Sequence, residues 1–199
     1  MTRRRMENAA PSSRTIVVIG SSTGGPRTLE TIFSRFPRVD AAIVIVQHMP
    51  LYINSSLCRH LAKTTRMDVR IAEDGESVEH GTIYVAPSDV HLKLVGNRTI
   101  RLFDDEKVQF VRPSIDVAMT SLEKNGGDRF AGVILSGMGS DGAQGIRHIK
   151  AIGGVTLAQT LRTCAIHAMP RAAFETGKVD QMLPPEGIRE QIIRIAGTL

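Results

Sequence analysis

The sequence predicts an α/β fold, with a mainly parallel sheet and a small antiparallel excursion. Two strand–loop–helix units follow one another near the start, with strands at residues 15–19 and 41–46. Such alternation is typical of a parallel sheet. Both strands are continuous apolar runs rather than alternating ones, which indicates strands that are covered on both faces.

The first unit joins the strand at 15–19 to a helix at 27–36 through a turn of small residues. Apolar residues at spacing i, i+3, i+4 and i+7 give this helix a single buried stripe. They are Leu29, Ile32, Phe33 and Phe36. Pro37 is expected to end the helix, because proline lacks the N–H that a helix needs.

In the middle of the chain, the alternation of strands and helices breaks down. The strand at 41–46 precedes a helix at 51–65, and another strand is expected at 67–72. Short extended runs then follow turn signals, at 82–86, 91–95 and 99–103. Gly96-Asn97 between the last two predicts a hairpin. We therefore assign this region to the antiparallel excursion.

In the last third of the chain, strands and helices alternate again. Ser114 is a suitable N-cap for a helix that runs to residue 123. The remaining predicted elements are a strand at 130–135, a helix ending at 152, a last clear strand at 155–158, a helix that Pro170 opens in its first turn, and a closing helix within 187–197.

Composition narrows the class of protein. The chain has 199 residues, of which 42% are hydrophobic and 23% charged, as expected for a globular protein with a sizeable core. The net charge is +5, but three arginines lie within residues 1–13, which read as a disordered leader or linker remnant. Without tryptophan and with few aromatics, the chain lacks stacking platforms for single-stranded nucleic acid. No apolar run approaches the ~20 residues of a membrane span.

The two cysteines, Cys58 and Cys164, form no C-x-x-C pair and are expected to be reduced thiols of a cytoplasmic protein. Cys164 and His167 have C-x-x-H spacing but lack two further ligands. No metal site and no cofactor are predicted.

The chemistry is expected at the turn after the first strand. Gly20-Ser21-Ser22-Thr23-Gly24 fits the G-x-S-x-G nucleophile elbow, which would expose Ser22 above the sheet edge. The following helix N-terminus offers N–H groups to an anion. Taken alone, this turn also suits phosphate binding or a plain structural turn, although it lacks the ending of a P-loop.

Ser22, His48 and Asp141 each follow a predicted strand of the sheet. Since ligands bind at the carboxyl ends of parallel strands, the three side chains can meet there. Serine, histidine and carboxylate are the set required for acyl transfer. Their order, Ser–His–Asp, differs from that of α/β-hydrolases. Ser21 is the rival nucleophile, and the competing carboxylates are Asp74, Asp89 and Asp116.

Five motifs in this order resemble the catalytic domain of the chemotaxis protein-glutamate methylesterase family (CheB type). They are Gly20-Ser21-Ser22-Thr23-Gly24-Gly25, Gln47-His48-Met49-Pro50, Arg112-Pro113-Ser114-Ile115-Asp116, Gly137-Met138-Gly139-Ser140-Asp141-Gly142 and Met169-Pro170-Arg171. The resemblance covers roughly residues 15–195. It implies a methylesterase catalytic domain at 14–199, which demethylates glutamate esters and deamidates glutamines on chemoreceptors. The fold it implies is α/β, a doubly wound, mainly parallel sheet with helices on both faces.

The resemblance also implies roles for individual residues. Ser22 would be the nucleophile, His48 the base and Asp141 its partner, with no metal or cofactor. Thr23 N–H is the candidate oxyanion donor from its place after the elbow, and Met138 N–H is the donor that the family suggests. The implied partner is the cytoplasmic helices of a methylated chemoreceptor.

The chain departs from the family pattern in two places. Members usually carry an N-terminal receiver domain, for which this chain has no room. We therefore expect an excised domain or a stand-alone enzyme, with a separate receiver or kinase partner. The segment 160–168 lacks the acidic residues expected after Gln159. An esterase for another substrate and a non-catalytic module that binds a receptor or signalling protein stay open as alternatives.

Overall fold

The structure, a computed structural model, describes residues 14–50 and 53–199; the predicted leader at 1–13 lies outside them. Seven strands form a parallel sheet in the order β3-β4-β2-β1-β7-β8-β9, and β5 and β6 form a separate antiparallel pair. The strands are β1 (Thr15–Ser21), β2 (Ala42–Gln47), β3 (Asp68–Ile71), β4 (Thr82–Val85), β5 (His91–Val95), β6 (Thr99–Phe103), β7 (Arg129–Ile134), β8 (Val155–Gln159) and β9 (Gln181–Leu183). The predicted fold class is confirmed.

Helices cover both faces of the sheet. They are α1 (Gly25–Phe33), α2 (Asn54–Thr64), α3 (Ile115–Thr120), α4 (Ala143–Ala151), α5 (Ala168–Glu175) and α6 (Pro185–Ala196). Side chains of α1, α2 and α6 pack with Val17 and Ile19 of β1 in one core. Those of α3, α4 and α5 pack with Ile16 and Val18 in the other. Successive β1 residues point to opposite faces, so one continuous apolar strand supplies both cores.

β1 lies at the centre of the sheet, between β2 and β7. From β1 the chain first builds the side that begins with β2, and later returns to build the side that begins with β7. The loops after β1 and β7 therefore diverge, and ligands of α/β sheets bind in the crevice at such a switch point. The residues that follow β1, β2 and β7 all lie at the carboxyl ends of these parallel strands.

Two predictions about strands were wrong. The run at 82–86 was grouped with the antiparallel excursion, but β4 pairs in parallel with both β2 and β3. All four residues of β4 are buried. The turn-forming residues before this run had instead suggested that the chain leaves the main sheet here. The strand at 155–158 was taken as the last, but β9 follows it and is only three half-buried residues long.

Several helix bounds also differ. α1 ends at Phe33, before the predicted residue 36, and α3 ends at Thr120, before the predicted residue 123. Pro170 is the third residue of α5 and so lies in its first turn, as predicted. The predicted hairpin is confirmed as β5 and β6. Within the described ranges, no helix is both long enough and apolar enough to span a bilayer.

Candidate active site

Ser22 lies in the turn between β1 and α1. Its N–H donates to the Ser136 carbonyl oxygen at 3.0 Å, and its own carbonyl accepts from Gly25 N–H at 2.8 Å. Gly24 has a φ of 82°, and a Cβ at this position would lie 2.6 Å from the Ala165 Cβ. Glycine is therefore required here both for the left-handed backbone and for the close approach of the neighbouring loop.

The two serines of the turn differ in accessibility. Ser21 is fully buried, and its hydroxyl donates to Gln47 Oε1 at 2.5 Å. Ser22 is partly exposed. The Gln47 amide nitrogen donates in turn to the carbonyl oxygens of Ser22 and His48, each at 2.9 Å. Gln47 thus fixes the loops after β1 and β2 to one another, and Ser22 is the serine that a substrate could reach.

His48 and Asp141 are joined directly. His48 Nε2 lies 2.9 Å from Asp141 Oδ2, although 93 residues separate them along the chain. The His48 main-chain N–H also donates to the Ser21 carbonyl oxygen at 2.9 Å, which brings the histidine beside the nucleophile turn. Because Nε2–H donates to the carboxylate, Nδ1 is the ring nitrogen left to accept a proton.

No hydrogen bond joins the Ser22 hydroxyl to His48 in the described parts of the chain. Contacts between nucleophile and base are often loose before substrate binds. His48 and Asp141 are therefore in contact, and Ser22 lies in the turn next to His48.

Asp141 is held by the start of α3. Besides His48, its carboxylate accepts hydrogen bonds from Ser114 Oγ at 2.9 Å, Ile115 N–H at 2.7 Å and Asp116 N–H at 3.0 Å. Burial alone would raise the pKa of this carboxyl. The hydrogen bonds from His48, Asp116 and Ile115 outweigh burial and hold the Asp141 pKa below its usual range. The group is therefore ionised at neutral pH.

The competing carboxylates do not reach His48. Asp74 accepts from Leu102 N–H, and Asp89 pairs with Arg112. Asp116 is buried beside Asp141, but its oxygens accept from Gly145 N–H at 2.7 Å and Gln109 Nε2 at 2.8 Å. Burial, together with the charge of Asp141, raises the pKa of Asp116.

The backbone N–H groups of Thr23 and Met138 are the predicted oxyanion donors. Those of Thr23 and Met138 donate no hydrogen bond to any described residue, whereas Gly137 N–H donates to the Ile166 carbonyl oxygen at 2.9 Å. A Cβ on Gly137 would lie 2.8 Å from the Ser22 Cβ, so the loop that carries Met138 passes directly against the serine.

Several supporting residues were not singled out from the sequence. Ser114 was predicted only as a helix cap, but its hydroxyl also donates to Asp141. Gln109 connects the Asp116 carboxylate to Ser140, whose hydroxyl donates to Gln109 Oε1 at 2.8 Å. Gln159 Oε1 accepts from Ser136 N–H at 2.9 Å. A polar residue at the end of a buried strand could have indicated Gln159 from the sequence. Gln109 lies outside the strands, so no such pattern indicated it.

Neither cysteine is an activated thiol. Both are free, and burial raises the pKa of Cys58 and of Cys164 to about 11. Thiols with such pKa values stay protonated at neutral pH and are poor nucleophiles. In the residues that the structure covers, no three histidine, cysteine or acidic side chains gather as metal ligands would.

Comparison with known proteins gives one consistent family. The family model described as CheB methylesterase matches residues 17–192. The protein-glutamate methylesterase/protein-glutamine glutaminase of Pyrococcus abyssi is 42% identical over 195 residues, which cover 96% of this chain and 53% of that protein. The Clostridium acetobutylicum protein of the same name is 37% identical over 97% of this chain and 56% of its own length.

Among solved structures, the Thermotoga maritima CheB methylesterase catalytic domain superposes with a TM-score of 0.84 at 39% identity. That match covers 92% of this chain and all of the solved one. The chain spans about half the length of the curated relatives it matches. Matched over most of its length by both sequence and fold, this chain belongs to the CheB methylesterase family.

Proposed function

We propose that this chain is a serine esterase that demethylates glutamate methyl esters on chemoreceptors and deamidates receptor glutamines. The single observation that carries the proposal is the His48–Asp141 hydrogen bond of 2.9 Å beside the turn of Ser22. The names of the relatives, protein-glutamate methylesterase/protein-glutamine glutaminase, support the same pair of reactions.

The proposed reaction is acyl transfer. His48 Nδ1 takes the proton as the Ser22 hydroxyl attacks the ester carbonyl, while Asp141 stays ionised and stabilises the imidazolium. The tetrahedral oxyanion accepts hydrogen bonds from Thr23 N–H and Met138 N–H. One such donor typically contributes on the order of 10²- to 10³-fold in rate.

His48 then returns the proton to the leaving group, which departs as methanol from an ester or as ammonia from an amide. Water, deprotonated by His48, hydrolyses the acyl-enzyme on Ser22 and leaves a glutamate carboxylate. We place this reaction in the cytoplasm, on the cytoplasmic helices of a methylated receptor. Its proposed regulator is a separate receiver or kinase partner.

The test is methanol release from methylated chemoreceptor by the parent protein and three serine variants. Ser22→Ala should lower the rate on the order of 10⁴-fold or more, because the nucleophile is lost. Ser21→Ala should stay far more active than Ser22→Ala, because its buried hydroxyl only positions Gln47. Ser56→Ala makes the same chemical change on an exposed face of α2 and should match the parent.

Equal loss in Ser21→Ala and Ser22→Ala would overturn the assignment of the nucleophile. If well-folded parent protein releases no methanol and Ser22 is not labelled by a serine-reactive phosphonate, the esterase proposal fails. The family fold would then serve a non-catalytic module that binds a receptor or signalling protein.

A further inference from the structure

We propose that a cavity beside the Ser22 turn, lined by Arg27 and Arg162, binds carboxylates of the polypeptide substrate. The enzyme would then prefer glutamyl esters that have acidic residues close by. The cavity measures about 410 Å³, and its wall also includes Gly24, Thr31 and Thr163. This inference rests on the proposed function and names the substrate class for it.

The position of the cavity ties it to the candidate active site. Gly24, two residues after Ser22, forms part of its wall, and Arg27 lies in the first turn of α1. Five residues separate Arg27 from Ser22, so their Cα atoms are at most about 19 Å apart. A single peptide bound with its ester at Ser22 can therefore place a neighbouring side chain in the cavity.

Within residues 14–50 and 53–199, neither arginine of the cavity has a partner of opposite charge. Arg27 and Arg162 are exposed and pair with no acidic side chain in the described part of the chain. By contrast, Arg38 pairs with Asp68 at 3.0 Å, and Arg98 pairs with Asp128 at 3.2 Å.

The charged side chains in the cavity wall are Arg27 and Arg162. None of the described residues that line the cavity is an aspartate or a glutamate. Glu30, one turn further along α1 than Arg27, pairs with His60 at 3.2 Å. Glu186 follows the wall residue Pro185 but does not line the cavity itself. The N-terminal end of α1 adds the positive pole of its dipole.

The segment that carries Arg162 is fixed before any ligand binds. Arg162 lies in the short 3-10 helix Leu161–Thr163. The fully buried Gln159 donates from Nε2 to the Thr163 carbonyl oxygen at 2.9 Å. A ligand would therefore meet an ordered wall, and less ordering entropy would oppose its binding.

The hydroxyl groups of the cavity are already in use. Thr31 Oγ1 donates to the Arg27 carbonyl oxygen, and Thr163 Oγ1 donates to the Thr160 carbonyl oxygen. The two guanidinium groups thus remain as the charged donors. A guanidinium matches a carboxylate with two parallel hydrogen bonds, so the cavity suits an acidic peptide.

The experiment compares two peptides that carry the same glutamyl methyl ester. One has aspartate and glutamate residues within two helical turns of the ester, and the other has asparagine and glutamine in their place. The parent should show about a tenfold higher kcat/KM for the acidic peptide. In Arg27→Gln/Arg162→Gln this preference should fall close to one, while hydrolysis of the neutral peptide and of p-nitrophenyl acetate stays unchanged.

The matched control is Arg147→Gln, an exposed arginine of α4 on the other face of the sheet. It should keep the full preference of the parent. If the double variant keeps the preference as well, the proposal is overturned. Inhibition by inorganic phosphate that depends on Arg27 and Arg162, without any preference for the acidic peptide, would assign the cavity to phosphate instead and also overturn it.

A binding measurement separates this proposal from the proposed function. Fluorescence anisotropy would report the Kd of ester-free acidic and neutral peptides for the parent and for the double arginine variant. Tighter binding of the acidic peptide that disappears in the variant supports the cavity even if the parent hydrolyses no ester. Equal Kd values for both peptides would overturn the proposal even if the triad proves active.

Discussion

At the scale of single residues, the pair Asp116 and Asp141 shows how neighbouring groups of one type acquire different properties. Both are buried and in hydrogen-bonding contact through Asp116 N–H. Asp141 faces His48 and two backbone donors, which hold its pKa low. For Asp116, burial and the adjacent charge of Asp141 prevail and raise the pKa. Environment, rather than residue type, decides which carboxylate serves the histidine.

The lowered pKa of Asp141 predicts a pH dependence of stability. A carboxyl with a folded pKa below the unfolded value of about 3.9 stabilises the fold above that value, and the contribution is lost as the pH falls through the folded pKa. Asp141→Asn should therefore reduce the free energy of unfolding at pH 6 and flatten its decline between pH 5 and 3. Urea unfolding at several pH values measures both effects.

The matched variant is Asp180→Asn. Hydrogen bonds from Lys150 and Thr156 outweigh burial and lower the pKa of Asp180 too, but this residue precedes β9, away from the candidate site. Asp180→Asn should also flatten the decline of the free energy of unfolding between pH 5 and 3, but it should not change ester hydrolysis. Asp141→Asn should lower ester hydrolysis by about 10⁴-fold. If the free energy of unfolding of the parent and of Asp141→Asn declines equally between pH 5 and 3, the hydrogen bonds do not lower the Asp141 pKa as stated.

At the scale of elements, the loop after β7 is the part of the site with the least room. Gly137 lies against Ser22 and the buried Met169, and its carbonyl oxygen accepts from Met169 N–H at 3.0 Å. The loop is therefore fixed to α5 on one side and to the nucleophile turn on the other. This packing holds the residue before Met138 against the serine turn.

Gly137→Ala should lower kcat/KM for ester hydrolysis by at least about 10²-fold, because the new methyl group would overlap the Met169 sulfur and the Ser22 Cβ and so shift the nucleophile turn. Gly126→Ala is the matched control, since a Cβ at that position meets no atom within 4 Å. Circular dichroism would check that both variants are folded. An active Gly137→Ala would show that the loop yields without moving the catalytic groups.

At the scale of the whole molecule, stability and catalysis draw on different regions. The two cores lie on the faces of the sheet, and the candidate site lies at its edge. α6 contributes Ile188 and Ile192 to the core on the α1 side. No residue of α6 contacts the Ser22, His48 and Asp141 side chains through a hydrogen bond within the described ranges.

Ile192→Ala should destabilise the protein by about 2–5 kcal/mol, because a fully buried side chain is replaced by a cavity. Urea unfolding would measure the loss, and kcat/KM at 25 °C should stay at the parent value. Leu199→Ala, at a side chain that is 63% exposed, should change the free energy of unfolding by less than about 0.5 kcal/mol. A folded Ile192→Ala protein with low kcat/KM would instead connect α6 to the site.

Local patterns predicted most of this architecture and most of the candidate site. The apolar runs of β1 and β2 and the turn at Ser22 are each contained in a few consecutive residues, so sequence reveals them. Contacts between distant segments are different. Gln109 reaches both Asp116 and Ser140 from a turn with no regular pattern. The extended run of β4 was visible in the sequence, but its parallel pairing with β2 and β3 was not. β9 has only three residues, too few for a pattern of its own.

The arrangement of the candidate site on separate loops has an evolutionary consequence. Ser22, His48 and Asp141 follow β1, β2 and β7, whereas Arg162 follows β8. Selection for another substrate can therefore alter the charge of the loop after β8 while the reacting groups and both cores keep their sequence. In the proposed roles, a mutation at Arg162 changes preference in a segment that carries none of the reacting groups, so a lineage could alter preference there gradually without passing through inactive intermediates.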